Sequence, residues 1–392
     1  MNKQRVNRQQ AMNEILYLGF DVHKDSVVIA YALGSGGEPK HYGKCAASNL
    51  AVERTLNRIC KKFGVEKRNI RIAYEAGPNG FILVRRLLQL GYDTIVVAPS
   101  KMERAPGERI KTDRRDALKI ARQLRNHALS GIYIPDAKNE AVRDLCRART
   151  DASEDLRQHK QRLGAFLLRH GVNYSGKTKW TQGHMNYLRK TRFADPALNF
   201  VLEDYIQAVE DTVTRIKALK EKLEEVLKDW EGKVHVDALK AFRSFDTVAA
   251  MTIVSEIGDF TRFTHPRQLM AYLGLVPSEA TSAKHRRQGG ITKCGNSHVR
   301  WMLAEAAQNY RHDPKVSPQL SQRQEGQPRA VKQLSWRAQV RLSYRFKCLG
   351  ARHVRYNKVI IAVARELSAF IWELFTSGIV PEPVKPLSLE AT

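Results

Sequence analysis

The chain has 392 residues, of which 43% are apolar, and this length is enough for two or three domains with cores of their own. Its 66 Lys and Arg residues outnumber 40 Asp and Glu residues, which gives a formal net charge of +26 and a pI near 10.0. Such an excess argues against an ordinary enzyme of small metabolites. It favours a polyanionic partner, with nucleic acid as the leading class.

Neither a targeting signal nor a metal-binding cysteine pattern is predicted from the sequence. The first thirteen residues are polar and basic, so no signal peptide is expected, and no apolar run approaches the ~18 residues that a membrane helix needs. The five cysteines are scattered, without the paired spacing of a zinc site. We therefore expect a cytoplasmic protein with reduced thiols and without a membrane partner.

Residues 14–135 have the pattern of an α/β domain. Strands are predicted at 15–21, 26–32, 41–46, 70–75 and 94–97, and helices at 49–63, 79–90 and 113–128. Three leading strands followed by alternating helices and strands are typical of an RNase H-like sheet. In that fold, acids at the ends of the first and fourth strands and on a late helix converge.

Four carboxylates stand at those positions in this chain. Asp21 and Glu75 each follow a short apolar segment, while Asp113 and Asp116 are three residues apart and share one face of the predicted helix. Gathered in a poorly solvated site, these acids would repel one another by several kcal/mol unless hard cations lay between them. Two Mg²⁺ ions about 3.5–4 Å apart are commonly used for phosphodiester chemistry. The sequence therefore predicts a metal site, with two Mg²⁺ ions or, alternatively, Mn²⁺.

Each acid taken alone also has a structural interpretation. Asp21 could be a turn residue, Asp113 could cap the N-terminus of its helix, and Asp116 could complement the helix dipole. Nearby, His23 and Lys24 are either phosphate contacts or loop residues.

Residues 136–237 are predicted to be a helical, coiled-coil-like domain. Along Leu202–Trp230, apolar residues recur at alternating spacings of four and three, which is a heptad seam of about four repeats with Lys220 at its polar position. A similar seam, interrupted by polar residues, runs along Val142–Leu163. The two helices form either an antiparallel hairpin within the chain or a coiled coil between two chains.

Residues 238–376 are predicted to form a mainly helical third domain, followed by a disordered tail at 377–392. Within the third domain, the segment 271–300 combines serines, basic residues and glycines, and a helix is predicted to begin near Asn296. Such a segment places hydrogen-bond donors near a potential nucleophile, although loops of this composition are common.

Basic residues cluster beyond this segment. Between residues 315 and 365 there are twelve Lys and Arg residues and one acid, Glu325. Arg337, Arg341 and Arg345 recur every fourth residue and therefore share a helix face. If nearby acids balanced these cations, a solvated helix face would explain them equally well. The imbalance instead favours a phosphate-binding surface.

Six sequence blocks carry a family resemblance. In chain order they are Gly19–Lys24, Tyr74–Gly77, Lys111–Ala117, Glu256–Phe260, Gly274–Glu279 and Arg286–Asn296. Together they resemble the DEDD recombinases of bacterial insertion sequences, the IS110 family. The sequences of residues 286–293 and 336–341 are similar to those of its IS1111-like subgroup.

The resemblance implies a RuvC-like N-terminal domain, a coiled-coil middle and a serine-bearing transposase domain. It implies a homo-oligomer, dimer or tetramer, in which the carboxylate site of one subunit completes the serine site of another. The expected partners are donor and target DNA and a structured guide RNA encoded by the element itself. In a bacterial cell, such an enzyme is expected at the nucleoid.

The resemblance also assigns site residues. The family's serine precedes the basic Arg-Gly block, which here indicates Ser282, with Ser278 and Ser297 as alternatives. Because a serine hydroxyl is a weak nucleophile, its attack on a phosphodiester needs a base or metal and neutralisation of the phosphate charge. The residues predicted to bind nucleic acid are Lys284, Arg286, Arg287, Lys293, Asn296, Arg300, Arg337, Arg341 and Arg345.

The resulting prediction is a DNA transposase or site-specific recombinase that uses Ser282 and a DEDD metal site. Two other functions stay open at this point. One is a junction-resolving nuclease that uses only the four carboxylates and water. The other is a nucleic-acid-binding protein whose catalytic site is idle.

Overall fold

The computed structural model describes residues 14–103, 112–282 and 285–380, and it describes only the backbone of residues 280–282, 285 and 286. The described residues divide into two compact units at Pro135 and Asp136. Within these ranges, no helix combines the length and apolar character needed to cross a membrane. Of the expected tail, 377–380 are described and 381–392 lie outside the described residues.

The first unit is built on a five-stranded sheet. Its strands are β1 (Leu16–Val22), β2 (Ser26–Leu33), β3 (Gly36–Ala46), β4 (Ile70–Glu75) and β5 (Asp93–Val97), and its helices are α1 (Asn49–Phe63), α2 (Ile82–Gln89) and α3 (Asp113–Arg125). The strand order is β3-β2-β1-β4-β5. β1 pairs antiparallel with β2 and parallel with β4, which pairs parallel with β5. The predicted order of strands and helices in this unit is confirmed.

Successive residues of β1 point to opposite faces of the sheet. Leu18 and Phe20 are buried on the face covered by α1 and α2, and Tyr17 packs with α3 on the other face. The prediction was less accurate for β3, which begins at Gly36 and not near residue 41. Its first residues are exposed and polar, so they lack the apolar alternation from which a strand is recognised.

The second unit consists of ten α-helices, a short 3₁₀ helix (Asn309–Arg311) and one β-hairpin within the described residues. The helices are α4 (Ala137–Arg169), α5 (Gln182–Lys190), α6 (Pro196–Lys228), α7 (Lys233–Lys240), α8 (Thr247–Ile257), α9 (Pro266–Tyr272), α10 (Ser297–Gln308), α11 (Pro318–Arg323), α12 (Arg329–Ala351) and α13 (Tyr356–Thr376). The hairpin strands are β6 (Pro277–Ser282) and β7 (His285–Ile291).

The two long helices α4 and α6 pack against each other along their length and run antiparallel. Arg215 is paired with Asp155 at 3.2 Å, and Nδ1 of His159 lies 3.0 Å from Oγ1 of Thr212. In the described structure, α4 and α6 thus pair within one chain, as in the hairpin alternative.

The apolar seam predicted along α6 is confirmed at both ends and wrong in the middle. Leu202, Leu223 and Leu227 are buried, but Val213 is 49% exposed and Thr212 is buried in its place. Thr212 is drawn into the seam because its hydroxyl group bonds to polar groups on both helices.

One continuous apolar core joins the two long helices to the C-terminal helices. Val142 and Cys146 of α4 and Leu227 of α6 belong to the same buried cluster as residues of α7 to α10, α12 and α13. This core therefore includes residues on both sides of the boundary expected near residue 237.

Candidate active site

The close packing of α3 on β1 depends on Gly19. A Cβ atom at this position would lie 2.3 Å from the carbonyl oxygen of Ala117 and 2.4 Å from the backbone nitrogen of Ala121, distances that no side chain tolerates. Both alanines are fully buried, so small residues on both elements allow the approach. The first turn of α3, which carries Asp113, is thereby held at the end of β1, where Asp21 lies.

Thr112 is the N-cap of α3. Its hydroxyl oxygen accepts a hydrogen bond from the backbone N–H of Arg115 at 3.3 Å. The interpretation of Asp113 as the N-cap is therefore wrong. Asp113 and Asp116 both lie in the first turn, and the Asp113 side chain is 56% exposed.

Three potential metal ligands converge at this point. Nε2 of His23 lies 3.1 Å from Oδ2 of Asp21 and 3.4 Å from Oδ2 of Asp113. One ligand atom from each residue lies within 4.8 Å of the other two. Burial raises the pKa of Asp21, and the negative charges of Asp113 and Asp116 raise it further. The hydrogen-bonded neighbour His23 lowers this pKa, but the net effect is an increase. Ionised Asp21 is thus disfavoured unless a cation is near.

Glu75 and Asp116 stand outside this close group of described residues. Glu75 is the last residue of β4, and the parallel register that pairs Phe20 with Tyr74 brings Asp21 and Glu75 to the same edge of the sheet. The structure therefore brings Asp21 and Asp113 together directly, and Glu75 and Asp116 to neighbouring positions.

The sequence interpretation did not include His23 among the metal ligands. A signal for it existed, because Asp21 and His23 are two residues apart at the end of a strand, and such residues point to the same face. The backbone N–H of His23 also donates to the carbonyl of Ser26 at 2.8 Å, which closes the turn into β2.

Ser282 is the last residue of β6, and its backbone pairs with that of His285 across the hairpin. Because Ser282 ends β6 and pairs with His285, the first residue of β7, it lies at the tip of the hairpin. The side chains of Ser282, Lys284 and Arg286 lie outside the described residues.

The two alternative serines have different surroundings. The Ser278 hydroxyl donates to the carbonyl of Gly290 at 3.1 Å and thus bridges the two hairpin strands. Gly289 lies so close that a Cβ there would be 2.4 Å from Oγ of Ser278. Ser297 is exposed and begins α10.

Asn296 and Arg300, which were predicted to bind nucleic acid, make hydrogen bonds within the protein. Asn296 caps α10 through Oδ1, and its Nδ2 donates to Oε2 of Glu256 at 2.7 Å. Nη1 of Arg300 donates to the carbonyls of Leu273 at 2.9 Å and Cys294 at 3.2 Å. Asn296 is thus the N-cap of α10, and its amide is held by Glu256. Two other predicted residues, Arg287 and Lys293, are exposed.

Glu256 is a buried carboxylate that joins three helices. Its side chain is 1% exposed and accepts hydrogen bonds from Nε of Arg147 at 2.6 Å and Nη2 at 2.9 Å, in addition to that from Asn296. These bonds raise the pKa of the Arg147 guanidinium. Because a bidentate guanidinium and an amide compensate the buried charge, Glu256 fixes α8, α4 and the start of α10 to one another.

Comparisons with known proteins identify the family. A model described as a transposase, of the DEDD type of IS110 elements, matches residues 18–171, and a model of the transposase IS116/IS110/IS902 family matches residues 236–321. The putative transposase y4qE of Sinorhizobium fredii is 40% identical over 359 residues, which are 91% of this chain and 88% of that protein. The chain belongs to the IS110 family of transposases. A transposase for insertion sequence element IS1533 from Leptospira borgpetersenii is 31% identical over 351 residues, 88% of this chain and 100% of that protein.

An IS110-family transposase is an enzyme that cuts and rejoins DNA, and its DEDD domain implies a divalent metal. The family match and the strand order of the first unit together support an RNase H-like fold. The residues present fit a divalent ion. Two carboxylates and an imidazole converge, and burial with neighbouring negative charge disfavours ionised Asp21, a cost that a bound cation would remove.

The three predicted phosphate-binding arginines of the transposase form ion pairs with acids of α13. Arg337 pairs with Glu373, and Nε of both Arg341 and Arg345 lies 3.0 Å from a carboxylate oxygen of Glu366. The sequence window with twelve cations and one acid ended one residue before Glu366. The charge imbalance was therefore overestimated, although the three arginine side chains are still 58%, 54% and 38% exposed.

Proposed function

We propose that this transposase cuts and rejoins DNA through a covalent bond between Ser282 and DNA, at a site that includes the carboxylates Asp21, Glu75, Asp113 and Asp116. The observation that supports the carboxylate part is the convergence of Asp21, His23 and Asp113, which the missing side chain of Gly19 permits. Mg²⁺, or Mn²⁺ in its place, would be held by these acids and would supply Lewis-acid neutralisation of phosphate charge.

In the proposed reaction, Oγ of Ser282 attacks the phosphorus of a DNA phosphodiester. A bond forms between serine and phosphorus, and the bond from phosphorus to one sugar oxygen breaks. The proton lost by the serine hydroxyl is balanced by the proton gained by the released DNA hydroxyl. Because the serine–DNA link is itself a phosphodiester, a second DNA hydroxyl can attack it and restore the strand without ATP.

The position of Ser282 supports this role. It lies at the tip of a hairpin whose return strand carries basic residues, and Arg287 on that strand is exposed. Lys284, Arg286 and Arg287 would neutralise charge on the phosphate during attack. Ser278 is less suited, since its hydroxyl group already donates within the hairpin.

We include two further parts in the proposal. A structured RNA from the element directs the enzyme to its sites, and the enzyme works as a dimer or tetramer in which carboxylates of one subunit act with the serine of another. The net charge of +26 supports binding of more polyanion than one short DNA site provides.

The proposal is tested with end-labelled DNA and denaturing gels that reveal protein–DNA adducts. Ser282→Ala should abolish both cleavage and adduct while changing DNA affinity by no more than a few-fold, because one small hydroxyl contributes little to binding. Ser278→Ala and Ser297→Ala are the matched controls and should still form the adduct. Cleavage by Ser282→Ala without any adduct would instead favour the junction-resolving nuclease.

The carboxylate site is tested separately with Asp113→Asn. Loss of a ligand should lower the cleavage rate by more than the ~10–100-fold typical for loss of an outer-shell partner. Asp25→Asn removes an exposed acid close in sequence and should leave the rate unchanged. Normal cleavage in Mg²⁺ by Asp113→Asn would contradict the site.

A further inference from the structure

Helix α12 has an exposed face with aromatic residues in the middle of a basic stripe. Trp336, Val340 and Tyr344 are 46%, 45% and 65% exposed, although residues of their size are usually buried. They recur every fourth residue and so form one strip along the helix. The opposite face is buried through Leu334 and Leu342, so α12 is fully anchored without these three side chains.

The strip is flanked by cations. Arg337 and Arg341 line the same shallow surface groove as Trp336, Val340 and Tyr344. None of the 23 residues of α12 is acidic. Its Lys and Arg residues are Arg329, Lys332, Arg337, Arg341, Arg345 and Lys347.

The acids of α13 hold the arginines in place beside the strip. Glu373 pairs with Arg337 and Glu366 with Arg341, and yet both guanidinium side chains are more than half exposed. A paired guanidinium has five donors and does not use all of them on one carboxylate, so the remaining donors can reach a phosphate. The groove thus offers apolar ring faces and positioned cations together.

We propose that this face binds an unpaired strand of DNA, with bases stacked on Trp336 and Tyr344 and phosphates on Arg337 and Arg341. Every base has a π-face that can stack on an aromatic ring, and a basic groove follows the backbone. Trp336 and Tyr344 are eight residues apart, or about 12 Å along the helix, which exceeds the ~3.4 Å between stacked bases. The two rings therefore contact non-adjacent bases of an extended strand.

Charge and chemistry favour unpaired DNA as the ligand of this face over a second copy of the chain or duplex DNA. The absence of acids from α12 complements a polyanion and would repel a second copy of the same basic face. Duplex DNA has its base faces covered by neighbouring base pairs, so it could use the arginines but not the rings. Cutting and rejoining DNA frees strand ends, which supplies the ligand. The inference rests on DNA cutting by this transposase and is independent of which serine is the nucleophile.

The test measures binding of fluorescein-labelled oligo-dT to the full-length protein by anisotropy, in EDTA so that no strand is cut. Trp336→Ala and Tyr344→Ala should each weaken single-strand binding at least about 5-fold, as expected for loss of one stacked base. Trp336→Phe should retain binding within about two-fold, since a ring remains. The affinity for duplex DNA of equal length should change less than two-fold in each of these variants.

Phe200→Ala is the matched control, because Phe200 is an aromatic residue on α6 with 73% exposure. It should leave single-strand binding unchanged. Unchanged binding by Trp336→Ala, or an equal loss for duplex and single strand, would overturn the proposal. A lower molar mass of Trp336→Ala in light scattering would also overturn it, because it would indicate that a second copy of the chain covers this face. The same holds if the protein bound oligo-U RNA through Trp336 but did not bind oligo-dT.

Discussion

Gly19 shows how one missing side chain controls the geometry of the carboxylate site. We predict that Gly19→Ala pushes α3 away from β1, because the new Cβ would stand 2.3 Å from a backbone oxygen of α3. Overpacking of this kind costs about 1–3 kcal/mol of unfolding free energy. Separation of Asp113 from Asp21 should weaken Mn²⁺ binding in isothermal titration by more than the loss of stability explains.

Gly77→Ala is the control for this change. Gly77 has no atom within 4 Å of an added Cβ, and it lies in the same unit close to Glu75. Its variant should keep both stability and metal affinity. If Gly19→Ala bound Mn²⁺ as tightly as the unmodified protein, the packing of α3 would not control the site.

Glu366 restrains the positive charge of α12. It pairs with Arg341 and Arg345, so its carboxylate partly neutralises two side chains that are predicted to bind phosphate. We predict that Glu366→Gln tightens DNA binding and steepens the dependence of log affinity on log salt by about 0.9–1.8 units, since each added phosphate contact on duplex contributes about 0.9.

The measurement is a salt titration of duplex DNA binding, with Glu305→Gln as the control on α10. An unchanged slope for Glu366→Gln would mean that Arg341 and Arg345 do not contact DNA. The isosteric amide keeps the shape of the side chain, so any change in slope is due to charge.

At the scale of helices, the buried ion pair of Arg147 and Glu256 holds α4 and α8 together. Arg147→Ala would leave Glu256 buried with Asn296 as its remaining partner. Loss of one member of a buried pair costs about 3–5 kcal/mol, but Arg147 is 39% exposed, so we predict about 2–3 kcal/mol in urea unfolding. Arg157→Ala, which breaks an exposed pair with Glu154 on the same helix, should leave the unfolding free energy almost unchanged.

If Arg157→Ala lowered the unfolding free energy more than Arg147→Ala, water and not Arg147 would compensate the buried charge of Glu256. The double variant Arg147→Met with Glu256→Met removes both charges and should recover part of the lost stability, because no unpaired charge stays buried.

Most elements could be predicted because their signals are local. The apolar runs ending at Asp21 and Glu75 predicted two strands, and α1 begins directly after Ser48, at Asn49, as predicted. The serine indeed caps this helix through its side chain. The position of these strands next to each other followed from the fold pattern.

Non-local contacts were the part that the sequence could not supply. The pairing of Glu256 with Arg147 joins residues 109 apart, and nothing near either residue in sequence indicates the other. The ion pairs of Arg341 and Arg345 were missed for a similar reason, since Glu366 lies on the next helix. His23 differs, because its spacing from Asp21 was visible and was given too little weight.

At the scale of the whole molecule, the protein carries a large excess of positive charge. The +26 charge is carried by both compact units, through basic residues such as Arg68 and Arg122 in the first and those of α12 in the second. Many of the cations are paired, but 66 against 40 acids leaves a net excess that pairing cannot remove. Electrostatic binding to phosphates depends on charge and carries little sequence preference.

The choice of DNA site therefore needs a source other than charge. The sequence contains no zinc-finger pattern to read the major groove, and base pairing with a guide would supply the choice while the protein holds the backbones. We predict that the purified protein binds a structured transcript from the non-coding end of its own element more tightly than a random RNA of equal length, and recombines cognate DNA only with that transcript. Gel-shift competition and a recombination assay before and after RNase treatment measure the two parts. Efficient site-specific recombination by RNA-free protein would refute guidance and leave the roles of Ser282 and the carboxylates to their own tests.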